Sequence, residues 1–179
     1  ACRLQWALTA VLALGISSAG AAVNVVARYS LGEADSGALA GVAASGTTPS
    51  VGSTTLPAIG SPVYSTAGAP ATRPSRLSVL FNGSTNGFRT PAVLTTVTDN
   101  FGVEAWVRAS STASNSQVVT NGDSSNSGWG LFRSGANWGF LYGGQTLAVT
   151  AAPSVDVNTW THLALVRSGG VNTLYKNGV

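Results

Sequence analysis

From Val25 onward the apolar residues either alternate with polar ones or gather in short runs bounded by turn residues, with no apolar stripe at helical spacing. FGVEAWVRA is the clearest case: Phe101, Val103, Ala105 and Val107 share one face, and Glu104, Trp106 and Arg108 the other. That spacing predicts a strand with one face in a core. VVARYSL (25–31), LSVLF (77–81), GFRT (87–90), QVVT (117–120) and Gln145 to Thr150 read as further strands. Two hairpins are expected. One joins Trp129–Arg133 to Trp138–Tyr142 through a turn near Gly135, and the other joins THLALVR to TLYKN through Ser168-Gly169-Gly170. Gly32 to Ser61 is poor in apolar residues and is expected to wander over the surface, while Ser65 to Arg76 resembles a linker. About eleven strands at regular spacing predict an all-β fold, a two-sheet antiparallel β-sandwich of jelly-roll type.

The opening residues break this pattern. Arg3 precedes the apolar run Leu4 to Ile16, and the small residues after it place Ala19 and Ala21 as an A-x-A cleavage site. Residues 1–21 therefore read as a secretion signal, since the run is shorter than the roughly 20 residues that cross a bilayer. No second apolar run follows, so no membrane span is expected after signal removal. The expected location is secreted or cell surface, extracellular or periplasmic. The single cysteine, Cys2, lies ahead of the run, leaving the mature domain to be held by its core alone.

Only 8% of residues are charged, and the nine basic and six acidic side chains are scattered singly to give a net charge of +3. With no basic stripe to track a phosphate backbone, nucleic acid is not an expected partner.

The succession Glu104 to Val107 (EAWV), Gly128 to Leu131 (GWGL), Trp160 to Leu165 (WTHLAL) and Leu174 to Gly178 (LYKNG) is similar to the laminin-G-like, concanavalin A-like lectin and glucanase superfamily. ARYSLGE (27–33) resembles the edge strand that opens many such domains. The resemblance spans roughly residues 25–179 and implies a laminin-G-like jelly-roll domain over 22–179. Family members usually continue beyond the Asn-Gly turn with further strands. The resemblance thus implies a fragment incomplete at the C-terminus, with an unpaired edge beside Leu174 to Lys176.

A glucanase of this superfamily carries a Glu-x-Asp-x-x-Glu strand, whose acids serve as nucleophile and general acid. Glu33-Ala34-Asp35 is the nearest match, but Ala38 occupies the third acid position and the segment lies in a Gly/Ala-rich loop. Catalysis is not expected. Glu104 is read as structural, paired with a cross-strand arginine such as Arg133 or Arg167. His162 is the chain's one histidine, and without a G-x-S-x-G elbow it reads as a packed or hydrogen-bonded strand residue. One histidine and no mature cysteine leave zinc without its usual ligands. Calcium is the remaining metal to weigh: Asp123 and Asn126 in the polar loop NGDSSNSG (121–128) could ligate it, although a solvated turn outweighs a site with a lone carboxylate. Asp156 is a weaker candidate and reads as a turn cap.

Aromatic rings can carry the apolar face of a sugar, with amides and hydroxyls fixing its orientation. Trp129, Trp138 and Tyr142, with Asn121 and Asn126 from the adjoining loop, form the candidate ligand site, while Trp106 and Trp160 read as core. Large rings in sandwiches more often fill the interior, and exposure separates the two roles. The expected function is a non-catalytic binding module for a glycan or an extracellular protein. The alternatives are a structural or adhesive spacer and, less favoured, a glucan hydrolase whose acids lie elsewhere. Asn82-Gly83-Ser84 is also an N-glycosylation sequon.

Overall fold

The computed structural model describes residues 23–69, 76–91, 94–95, 97–123, 127–143, 145–147 and 153–179. The expected signal, 1–21, lies outside them. Fourteen strands and no helix occur among the described residues. In chain order they are β1 (Arg28–Tyr29), β2 (Gly46–Thr47), β3 (Pro49–Val51), β4 (Leu56–Ile59), β5 (Val63–Ser65), β6 (Ser78–Leu80) and β7 (Gly87–Phe88), then β8 (Phe101–Arg108), β9 (Ser116–Asp123), β10 (Ser127–Ser134), β11 (Asn137–Tyr142), β12 (Gln145–Leu147), β13 (Trp160–Ser168) and β14 (Val171–Lys176).

The long strands build the sandwich. One layer is a four-stranded sheet ordered β12-β11-β10-β9, the other a three-stranded sheet ordered β14-β13-β8, and all neighbours run antiparallel. Their facing sides meet in one core, with Leu131, Trp138 and Phe140 from the first layer against Leu163 and Leu165 from the second. Leu131, Leu163 and Leu165 are fully buried, and each contributes about 2 kcal/mol or more by burial alone. The alternation in β8 is kept residue by residue, with Val103, Ala105 and Val107 packed against the core. A bulge between Leu131 and Phe132 in the β9–β10 ladder lets Val118 and Val119 both pack against it. β14 sits at the edge of its sheet, as expected for Leu174 to Lys176.

Turn chemistry follows the residues. Ser168 pairs with Val171 across Gly169 and Gly170, whose φ values of 55° and 83° give the doubly left-handed turn that two glycines adopt without cost. The loop expected over 121–128 is shorter than its composition implied. β9 runs to Asp123, β10 begins at Ser127, and those two residues pair. Ladder hydrogen bonds there override a polar composition that reads as loop.

Between residues 23 and 91 the expected long strands are reduced to pairs and triplets. VVARYSL retains only β1, whereas Gly32 to Ser61 holds β2, β3 and β4. These seven strands form three small sheets, β1-β3, β2-β4-β7 and β5-β6. Segments broken so often by glycine, serine and proline cannot bury a continuous face. A small satellite core collects instead around Ala44, Thr47 and Tyr64.

Candidate functional site

The candidate aromatic trio lies on the inner side of the four-stranded sheet. Trp129 is 8% exposed and Trp138 2%, so neither ring offers a face to a ligand. Both fill the core because position parity aligns them with Leu131 and Phe140. Tyr142 is half-buried; its hydroxyl donates to Thr98 O (2.8 Å) and the Arg167 guanidinium covers its ring at 3.8 Å. Asn121 also works structurally, accepting from Leu94 N at 2.8 Å and donating to Leu94 O at 3.2 Å. With the bond from Trp129 Nε1 to Val97 O (3.0 Å), these side chains tie Leu94, Val97 and Thr98 to the sandwich. Asn126 and the side chain of Asp123, the calcium candidates, lie outside the described residues. Among those that are described, no group of three or more metal-binding side chains occurs.

The acids are engaged as well. Glu33 Oε1 accepts from the backbone nitrogens of Arg76 (2.6 Å) and Leu77 (2.9 Å). Asp35 accepts from Thr48 N (2.6 Å) and from the Tyr64 hydroxyl (3.1 Å). Asp156 pairs with Lys176 Nζ at 2.8 Å rather than capping a turn with its carboxylate. Glu104 does not pair with an arginine. Its Oε2 lies 3.2 Å from His162 Nε2, because these side chains are diagonal neighbours on the outer face of β8 and β13. Arg133 is instead buried, donating to Gly135 O and Ser116 Oγ. Arg167 pairs with Asp99 at 3.2 Å. The sequon residue Asn82 caps its own turn, accepting from the nitrogens of Ser84, Thr85 and Asn86.

A groove of about 280 Å³ opens on the opposite, outer side of the four-stranded sheet. Gly130 lies in its floor, Phe132 and Leu141 are its apolar walls, and Gln117, Thr120 and Asn115 supply amides and a hydroxyl. Phe132 lies over Gly139, where an added Cβ would come within 2.7 Å of the ring. A bare position on β11 is what lets the ring lie down. Among the groove's described lining residues there is no carboxylate, and its one cation, Arg133, is turned to the bonds above. GWGLFR already carried the signal: Gly128, Gly130 and Phe132 share one parity, a strand face left bare beside a single ring. Trp106 was also misplaced by sequence reasoning. It is 38% exposed, since Glu104 and Arg108 share its face.

The laminin-G sequence model described as the concanavalin A-like lectin/glucanases superfamily matches residues 82–179. That is more than half of the chain, and the chain belongs to this superfamily. No curated protein and no solved structure matches the chain. No helix among the described residues is long and apolar enough to cross a membrane, which bears on helical spans alone.

Proposed function

We propose that this chain is an exported, non-catalytic binding module that holds an uncharged stretch of glycan in the groove on the outer face of β9, β10 and β11. One observation carries the reading: a recess that combines an aromatic ring, an aliphatic wall, amides and a hydroxyl without any carboxylate among its described lining residues. Sugars present apolar C–H faces and a rim of hydroxyls, which this mixture matches. Glycoside hydrolysis in most families uses two carboxyl groups about 5–9.5 Å apart, so a groove with no carboxylate among its described lining residues supports binding over cleavage. Membership in a superfamily of lectins and glucanases supports the same ligand class.

A glycan array probed with the purified chain, with calcium and then with chelator, tests this reading. Binding to neutral oligosaccharides that weakens about tenfold in Phe132→Ala is the expected result. Loss on chelation would place calcium in the site. Silence across the array would favour the adhesive or spacer role, and release of reducing ends from polysaccharide would overturn the non-catalytic reading.

A further inference from the structure

We propose that the outer face of the three-stranded sheet is a second ligand site, which takes a pyranose bearing a free ammonium group, such as a glucosamine unit. It rests on other residues than the groove and on the other layer of the sandwich.

The ladder sets the arrangement. Trp106 stands opposite His162, Glu104 opposite Ala164, and Ala164 opposite Tyr175. The small Ala164 is therefore the floor of a recess with Glu104 and Trp106 on one side and Tyr175 on the other. Two strand spacings make it ~10 Å across, room for one sugar ring against Trp106. Trp106 and Tyr175 are 38% and 36% exposed, in contrast to the buried tryptophans of the other layer. The His162 ring packs on Trp106 with centroids 5.3 Å apart and planes inclined by 43°, which fixes the indole while leaving it open to solvent.

Charge selects the ligand. The Glu104 side chain is 76% exposed and spends Oε2 on His162, while Oε1 makes no hydrogen bond among the described residues. On a chain of net charge +3 this recess presents a carboxylate. Arg108, the cation on the same face of β8, lies four residues away (~14 Å along a strand), and its Nε donates to Asn158 O. At that distance salt screens it from the Glu104 carboxylate, and the bond to Asn158 O occupies its Nε beside Trp106. An ammonium placed between a carboxylate and an indole is held by both ion pairing and cation–π attraction. A glucosamine ring offers that ammonium together with an apolar face for Trp106. Uronates and sulfated sugars would meet repulsion from Glu104 instead.

Short chito-oligosaccharides of equal length, fully deacetylated or fully N-acetylated, isolate the charge. Titration of the intact chain, followed by calorimetry and by tryptophan fluorescence, is expected to show the deacetylated form binding about three- to fivefold tighter, with the gap closing at high salt. Glu104→Gln, at an exposed position, should erase the preference while leaving weaker binding in place. Trp106→Ala should weaken the deacetylated form about tenfold. Because the groove is itself expected to take neutral sugars, the same titrations in Phe132→Ala read this site alone; the preference for the deacetylated form should persist there, so failure of the groove and failure of this site read out separately. Equal binding of the two forms, binding of neither, or a preference that survives Glu104→Gln would overturn the proposal. So would a lysine peptide that competes as well as the sugar.

Discussion

Trp129 and Trp138 are both buried on the same sheet face, yet their indole N–H groups are treated differently. Trp129 donates to Val97 O, whereas Trp138 Nε1 has no partner among the described residues. An unsatisfied buried donor costs about 1–3 kcal/mol, so removing it offsets part of the volume lost with it. Trp138→Phe is therefore expected to destabilise less than Trp129→Phe by about 1 kcal/mol in urea unfolding. The reverse order would mean that the Trp138 donor is satisfied in solution. Leu165→Ala, at a fully buried position, should cost about 2–5 kcal/mol in the same assay. Tyr64 adds a pH dependence. Burial first, then the hydrogen bond and charge of Asp35, push its phenol from 10.0 up to about 12. A raised phenol favours the folded state while protonated. Its contribution is full below pH 10.0 and is lost as the pH climbs toward about 12. Tyr64→Phe should flatten that alkaline decline, measured as unfolding midpoint against pH.

Among the elements, those with strict alternation were the readable ones. β8 occupies Phe101–Arg108 within the expected span, and the two hairpins form about Gly135 and Gly169-Gly170. Each combines a buried face with turn residues suited to the required backbone, so local preference and tertiary packing agree. The 121–128 segment was misread because its polar residues say nothing about the ladder that extends β9 and β10. Phe132 depends on a neighbouring strand, since Gly139 on β11 leaves room for its ring. Gly139→Ala should lift that ring and weaken glycan binding about as much as Phe132→Ala does, while circular dichroism stays unchanged. Binding at full strength in Gly139→Ala would remove Phe132 from the site.

For the molecule as a whole, order should be unequal along the chain. The long strands β8–β11, β13 and β14 share one core, whereas β1–β7 are two to four residues long and rest on a small satellite cluster. Local opening is cheaper where few apolar contacts must break. Hydrogen exchange is expected to be at least about tenfold faster in β1–β7 than in β10 and β13; equal protection would mean that the short sheets are held by contacts with the sandwich. The export reading has its own check. Expressed in a host that secretes through the same kind of signal, the chain should appear outside the cytoplasm with Ala22 as its first residue, and retention with Leu4 to Ile16 intact would refute it.

Period-two patterning and paired glycines were enough to specify an all-β sandwich and the order of its main hairpins, because both are properties of the local chain. Ring exposure could not be read in that way. Trp129 and Trp106 each sit in an alternating strand, and solvent access depends on which parity meets the opposing layer. The same holds for Glu104, whose partner is set by the register of β8 on β13, and for Asn121, whose amide is occupied by a backbone 27 residues away. Such relations arise only when distant segments are brought side by side.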